Sequence, residues 1–143
     1  MTDEVQKIYH LVPEPALRAQ LDRSIYRPAA LADDGFVHCS LRASLLPVAN
    51  GYFAQAPQPP LVLELDVERL TAEVRFEDAA PVAGGGGVHL ESATVFPHVY
   101  GPIDRAAITG VGALGRDGSG YRWPECFESL ERFIAGAKSE LDP

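Results

Sequence analysis

Alternating and helically spaced apolar residues divide the chain into short strands and helices. Apolar runs rich in β-branched and aromatic residues predict strands at 5–12, 36–41, 61–67, 74–76, 95–100 and 106–111. Apolar residues recurring every three or four positions predict helices at 14–21, 43–54 and, after Pro124, about 124–138. This order of elements predicts an α+β fold in a single domain covering residues 1–143.

Loops are predicted where glycine, proline and polar residues accumulate. Residues 26–35 have the composition of a turn-rich connection, and residues 115–122 that of a glycine-bearing loop. Residues 77–94 contain Gly84–Gly87, and ordering such a run is unfavourable because glycine loses the most backbone entropy. We therefore predict a mobile loop there, with His89 in solvent.

Two motifs place an aromatic residue, a histidine and a hydroxyl-bearing residue at every second position. They are FVHCS at 36–40 and FPHVY at 96–100. Side chains two apart on a strand share a face, so His38 with Ser40, and His98 with Tyr100, should each look the same way. The intervening apolar residues of the first motif should face a core. The motifs therefore predict one cleft that contains both histidines.

His10 lies in a third apolar strand, so three histidines are candidates for a shared site. A neutral imidazole, with an ordinary pKa of ~6.5, suits proton transfer or a hydrogen bond to a ribose hydroxyl. The alternative for each histidine is a core residue with satisfied hydrogen bonds. Zinc enzymes also use three protein ligands, but these histidines lack short ligand spacing, so no metal is expected.

Composition narrows the class of partner. The chain of 143 residues has 12 scattered Lys and Arg and a formal net charge of −8. Because nucleic-acid binding depends on clustered positive charge, nucleic acid is not an expected partner. No apolar run approaches the ~20 residues that span a bilayer, so no membrane segment is expected. Two cysteines and no N-terminal apolar leader predict a cytoplasmic protein with free thiols.

Both cysteines are predicted to be buried. Cys39 should lie in the core, because neighbouring strand residues point to opposite faces and it cannot pair with His38 as a nucleophile. Cys126 should be a small buried residue on the C-terminal helix.

Five motifs resemble the domain-of-unknown-function family 952. They are YHLV at 9–12, YRP at 26–28, GFVHCS at 35–40, VAN at 48–50 and FPHVYGP at 96–102. The resemblance covers roughly residues 7–113. That family is similar to a divergent branch of the ADP-ribosyltransferase fold. The resemblance implies a split mixed or antiparallel β-sheet with flanking helices, which in other members of the fold binds a nicotinamide dinucleotide.

The resemblance implies roles for named residues. His10 would hold a ribose hydroxyl, His38 would contact the base, and His98 would orient the reacting group or move a proton. Substrate-binding roles are implied for four more residues: Tyr9, Arg27, Ser40 and Tyr100. The glutamate that many of these transferases use has no match in the sequence, as in the similar tRNA 2'-phosphotransferase branch.

Three functions follow as expectations. The first is an ADP-ribosyltransferase-like enzyme, a transferase or phosphotransferase, that binds NAD as substrate or another nucleotide or ribose-containing small molecule. The second is a non-catalytic nucleotide- or metabolite-binding domain of the same fold, which the missing glutamate favours. The third is a metal hydrolase with histidine ligands. The acidic composition favours a free metabolite over tRNA as the ligand.

Overall fold

The computed structural model describes residues 6–21, 24–78 and 95–141, with side chains as far as residue 136, and forms one α+β domain. The strands are β1 (Lys7–Val12), β2 (Ile25–Tyr26), β3 (Val37–His38), β4 (Leu61–Asp66), β5 (Glu73–Asp78), β6 (Val95–Tyr100), β7 (Ile103–Asp104), β8 (Ile108–Ala113), β9 (Gly115–Asp117), β10 (Gly120–Arg122) and β11 (Phe127–Glu128). The helices are α1 (Glu14–Arg18), α2 (Ala29–Asp34), α3 (Arg42–Tyr52) and α4 (Leu130–Leu141).

The larger sheet has the strand order β1-β4-β8-β11. Strand β4 is central because its apolar residues cover both faces, Leu63 packing into one core cluster and Val62 into another. On β1 the same division separates Ile8 and Val12, which join the Leu63 cluster, from Tyr9, which joins the Val62 cluster. The sheet thus has apolar packing on each side.

The smaller sheet has the order β3-β6-β5 and carries both histidine motifs. Val99 pairs with Val37 on one side and Val74 on the other, and these valines pack with the Leu63 cluster. Residues at the next positions must face the opposite way. His38 and His98, which are direct partners, therefore share the face that points away from that core.

Main-chain hydrogen bonds join the two sheets. The Tyr9 N–H donates to the Ser40 carbonyl at 2.9 Å, and the Ser40 N–H donates to the Tyr9 carbonyl at 2.7 Å. This bridge continues the chain from β3 alongside β1 before α3 begins. The sequence allowed a mixed sheet, but all strand pairs of the described residues are antiparallel.

The C-terminal segment differs from the sequence prediction. Strand β8 is not the last strand, and the predicted loop at 115–122 is an antiparallel hairpin of β9 and β10. The predicted helix at 124–138 begins only at Leu130, because Phe127 pairs with Gly112 as part of β11. The absence of a side chain on Gly112 admits the Phe127 ring, since a Cβ there would lie 2.8 Å from it.

Smaller corrections concern the first half of the chain. The predicted turn-rich connection at 26–35 includes the end of β2 and all of α2. Helix α1 ends at Arg18 rather than at residue 21. Strand β5 extends through Asp78, beyond the predicted end at residue 76. Gly84–Gly87 and His89 lie outside the described residues. Among the described helices, none is long and apolar enough to cross a membrane.

Candidate functional site

The outward face of the small sheet collects the aromatic, imidazole and acidic side chains of three strands. The antiparallel register sets His98 beside His38 on one side and beside Arg75 on the other. The ring centroids of the two histidines are 5.7 Å apart, and the rings are nearly perpendicular at 71°. The two histidine motifs therefore meet, as their alternation predicted. We call this face the histidine face.

His38 is bound to a carboxylate from the preceding helix. Its Nε2 lies 2.8 Å from Oδ2 of Asp34, which is the last residue of α2. Gly35 follows with a φ of 84°, a left-handed conformation that glycine adopts easily and that turns the chain from α2 into β3. The tight turn explains how a residue only four positions earlier reaches the His38 ring.

His98 is bound to a carboxylate from the neighbouring strand. Its Nδ1 lies 2.8 Å from Oε1 of Glu77, and the Tyr100 hydroxyl donates to that same oxygen at 2.5 Å. The hydrogen bond from Tyr100 and then that from His98 lower the pKa of the Glu77 carboxyl. The same bond to Glu77 raises the pKa of the Tyr100 phenol. Glu77 is therefore a carboxylate shared by two donors.

Phe36 covers this cluster. Its ring stacks on His98 with centroids 4.2 Å apart and an angle of 28°, and it lies 4.7 Å from His38 and 5.2 Å from Tyr100. Beneath it His98 is 2% exposed, whereas the side chain of His38 is 23% exposed. The cluster has one nearly enclosed imidazole and one that solvent reaches.

His10 lies in the protein interior behind His38. Its Nδ1 is 2.9 Å from the main-chain carbonyl of His38, and its Nε2 is 3.4 Å from the Tyr26 hydroxyl. A carbonyl only accepts, so Nδ1 carries the proton and Nε2 is the acceptor. Desolvation lowers the pKa of His10 to about 4, against an opposing effect of the bond to His38. His10 is therefore a neutral core residue joined to β3.

The other residues predicted to bind the substrate do not lie together in the structure. Tyr9 lies on the opposite side of β1, where its ring meets Trp123 edge-on at 5.0 Å. Ser40 is buried and its main chain forms the bridge between the sheets. The Arg27 side chain is exposed, and its main chain is bound by the Gln20 amide. Of this group only Tyr100 contacts the histidine cluster.

Two acidic residues of the site were missed by sequence reasoning. Asp34 fell in a predicted turn and Glu77 at the start of a predicted loop. The four-residue spacing of Asp34 and His38 could have indicated their contact, but only if a helix ending before Gly35 had also been predicted. Glu77 had no local signal, because its contact with His98 depends on the pairing of β5 with β6.

The two cysteines differ in environment. Cys39 is 3% exposed and burial raises the pKa of its thiol, so its predicted place in the core is confirmed. Cys126 is exposed and precedes β11 instead of lying on a helix, so its predicted burial was wrong. It lines an open cleft with Arg122 and Trp123. Both are free thiols.

Two acidic residues of β4, Glu64 and Asp66, have hydrogen-bond partners. Glu64 accepts from the Thr109 hydroxyl at 2.9 Å and lies 3.6 Å from Lys7. Asp66 accepts from the Glu68 N–H at 3.0 Å, which caps the turn after β4. Across the described ranges, no group of three or more His, Cys, Asp or Glu is arranged to hold a metal ion.

Comparison with solved structures finds the same fold in a bacterial protein. Two crystal structures of protein CC0527 from Caulobacter crescentus, one of them a double mutant, match with TM-scores of 0.60 and 0.59. The identities are 22% and 21%, and each match covers 91% of this chain and 99% of the other. At this identity the similarity establishes the fold alone.

The family comparison agrees with the sequence motifs. No curated protein matches the chain. The family model described as "Protein of unknown function (DUF952)" matches residues 11–111, which is more than half of the chain and includes both histidine motifs. This chain therefore belongs to the DUF952 family.

Proposed function

We propose that this protein is an ADP-ribosyltransferase-like enzyme that binds NAD or another ribose-containing nucleotide on the histidine face. The observation that carries the proposal is the His38–His98 pair, in which each imidazole is bound to its own carboxylate at 2.8 Å. Two imidazoles with carboxylate partners are suited to hydrogen bonding and proton transfer. The resemblance of the family to ADP-ribosyltransferases supports the choice of ligand.

Each imidazole has one ring nitrogen without a hydrogen-bond partner among the described residues. Asp34 binds Nε2 of His38 and Glu77 binds Nδ1 of His98, which leaves Nδ1 of His38 and Nε2 of His98. A neutral imidazole nitrogen of this kind accepts a hydrogen bond from a hydroxyl group. We assign His38 to contact with the nucleotide and His98 to orientation or deprotonation of the reacting group.

The aromatic side chains supply a surface for a planar ring. Phe36 is half-buried and packs against both histidines, and Tyr100 lies against its edge. Nucleobases stack on such rings with a gain of about 1–3 kcal/mol per base. The Arg75 guanidinium lies 4.4 Å above the Tyr100 ring and carries positive charge to the rim of the face. Glu73, 3.0 Å from the guanidinium, partly neutralises that charge.

His10 has a smaller role in the proposed function than His38 and His98. Its Nδ1 holds the main chain of His38, so only Nε2 is available to a ribose hydroxyl. The present partner of Nε2 is the Tyr26 hydroxyl at 3.4 Å, which is longer than a typical hydrogen bond. Both side chains are buried on the core side of β3, away from the histidine face. His10 therefore supports the site through its bond to the main chain of His38.

A non-catalytic nucleotide-binding domain is the second candidate. It is favoured by the state of Glu77, whose Oε1 already accepts hydrogen bonds from Tyr100 and His98. A carboxylate engaged in this way is less free to act directly on a substrate than an unpaired one. The two candidates share the ligand site and differ only in turnover.

Isothermal titration calorimetry with NAD and with ADP-ribose tests the proposal. We expect the wild type to bind at least one of them, and His38→Ala to lose at least tenfold in affinity. Glu128→Ala, an exposed change on β11 of the other sheet, is the control and should bind like the wild type. His38→Gln provides a second variant, and circular dichroism establishes that each variant is folded.

The outcomes separate the candidates. Release of nicotinamide from NAD, followed by proton NMR, would support the enzyme. Binding without turnover of any nucleotide would support the non-catalytic domain. If neither NAD nor ADP-ribose binds the wild type, the nucleotide assignment is wrong.

A further inference from the structure

Glu77 connects two residues of the histidine face that lie on another strand. It is on β5, opposite Phe96, while His98 and Tyr100 are the next residues on the same face of β6. Its Oε1 accepts from the Tyr100 hydroxyl at 2.5 Å and is 2.8 Å from Nδ1 of His98. One carboxylate oxygen thus fixes two side chains at once.

The contact decides which nitrogen of His98 carries the proton. A carboxylate only accepts hydrogen bonds, so Nδ1 of His98 is the donor and Nε2 of the neutral ring has the lone pair. The neutral side chain of a histidine exposed to water prefers the opposite arrangement, with the proton on Nε2. Glu77 therefore imposes the less favoured tautomer on His98.

The ring of His98 is also held in place. The Phe36 ring stacks on it with centroids 4.2 Å apart, and the His38 ring lies nearly perpendicular to it with centroids 5.7 Å apart. His38 has the reverse pattern, because Asp34 takes its Nε2 and leaves Nδ1 open. Two neighbouring imidazoles are thereby set in opposite tautomers by carboxylates from different elements.

Among the charged side chains around His98, Glu77 is the one that forms a hydrogen bond with its ring. Arg75 is directly opposite His98, but its guanidinium bonds Glu73 at 3.0 Å and lies over Tyr100. Asp34 is bound to His38. The bonds from Tyr100 and His98 keep the pKa of Glu77 below its ordinary value, so it stays ionised at neutral pH.

We propose that Glu77 is the positioning residue of the site, holding His98 with the proton on Nδ1 so that Nε2 accepts a hydrogen bond or a proton from the ligand. The proposal rests on the proposed function of the histidine face. Glu77 would thus supply a carboxylate to a site in which the glutamate used by many ADP-ribosyltransferases has no match. Glu77 acts through His98, whereas His98 touches the ligand.

Side-chain nitrogen NMR of ligand-free protein tests the tautomer directly. Long-range proton–nitrogen spectra at a pH where the rings are neutral should show His98 protonated on Nδ1 in the wild type. In Glu77→Ala we expect His98 to move to the Nε2-protonated form. Glu77→Gln retains an acceptor oxygen and should restore the wild-type tautomer, which a purely structural role would not require.

Asp78→Asn is the matched control, because it removes a neighbouring charge on the opposite face of β5. It should leave the His98 spectrum unchanged. The Tyr100 phenol is a second probe: its pKa should fall toward the ordinary value in Glu77→Ala, fall less in Glu77→Gln, which keeps the acceptor oxygen, and stay unchanged in the control. His98 protonated on Nε2 in the wild type, or a tautomer unaffected by Glu77→Ala, would overturn the proposal.

Nucleotide affinity supplies the functional measurement. We expect Glu77→Ala to bind the nucleotide at least tenfold more weakly, Glu77→Gln to recover part of that loss, and Asp78→Asn to match the wild type. The NMR measurement needs no ligand. A wrong tautomer assignment can therefore be recognised even if the nucleotide binds. A correct tautomer assignment can likewise be recognised even if no nucleotide binds.

Discussion

The rings of His38 and His98 lie 5.7 Å apart because the two residues are direct partners across β3 and β6. Each ring is fixed by a carboxylate from a third element, Asp34 at the end of α2 or Glu77 on β5. The pair therefore depends on three segments that are far apart in sequence. This makes the arrangement sensitive to single substitutions at several distinct positions.

His10 should make the folded protein less stable in acid. Its pKa is about 4 in the folded protein and about 6.5 when unfolded, so between these values the unfolded chain binds the proton more readily. The stabilisation is complete above pH 6.5 and is lost as the pH falls toward 4. Lowering the pH from 7 to 5 should cost about 2 kcal/mol through this residue.

Urea unfolding of the wild type and of His10→Asn at pH 7 and pH 5 measures this effect. Asparagine does not titrate, and its amide nitrogen, attached to Cγ like Nδ1 of histidine, still offers an N–H to the His38 carbonyl. The loss of unfolding free energy between the two pH values should be about 2 kcal/mol smaller in the variant. Equal losses in both proteins would mean that His10 is protonated without penalty.

Two glycines near the C-terminus should respond in opposite directions to alanine. In Gly112→Ala the new Cβ would lie 2.8 Å from the Phe127 ring and 2.9 Å from Pro124, so we expect a destabilisation of about 1–3 kcal/mol. Gly136 lies within α4, and a Cβ at this position would have no atom within 4 Å, so Gly136→Ala should stabilise by about 0.5–1 kcal/mol.

Thermal and urea unfolding of both variants provide the comparison. A neutral Gly112→Ala would show that β11 can move away from β8 without loss. No effect of Gly136→Ala would show that α4 does not contribute to the stability of the folded chain, and a destabilisation would show that a Cβ at this position is not free of contacts.

Elements whose defining interactions are local could be predicted from sequence, and those that depend on distant residues could not. Strands β1, β4 and β6 were predicted closely because buried strands show their pattern in their own residues. Strand β11 has only two residues, and it exists because Gly112 makes room for Phe127. Nothing within 125–130 indicates that pairing, so the helical spacing of the following residues was extended too far back.

The candidate site shows the same distinction. Alternation within each motif was enough to bring His38 and His98 to one face. It did not reveal that both nitrogens of His10 have partners inside the protein. The carboxylates Asp34 and Glu77 were likewise missed, because an acidic residue looks the same in sequence whether or not the fold brings an imidazole beside it.

The two thiols should differ strongly in reactivity. Cys126 is exposed, whereas Cys39 is 3% exposed with a raised pKa, and the thiolate is the reactive form. An aromatic disulfide reagent should therefore label one thiol per chain rapidly in the native protein and the second only on unfolding. Cys126→Ser should abolish the rapid phase. A rapid phase that survives in this variant would place Cys39 within reach of solvent.

Phe36 should protect His98 from chemical modification. The Phe36 ring stacks on His98 at 4.2 Å, and His98 is 2% exposed, whereas the His38 side chain is 23% exposed. In the wild type, diethyl pyrocarbonate should modify His38 before His98, as located by mass spectrometry. In Phe36→Ala the modification of His98 should become several-fold faster, because its covering ring is gone, with a loss of stability of about 1–3 kcal/mol.

Phe76→Ala is the control for this loss of an aromatic ring. Phe76 is on the same small sheet but on its opposite face, and it is 44% exposed, so its removal should leave both histidine rates unchanged. Equal acceleration of His98 in the two variants would indicate general loosening of the sheet. Slow modification of His98 in Phe36→Ala would mean that other parts of the chain enclose it, because the stacked ring would then not be what limits access.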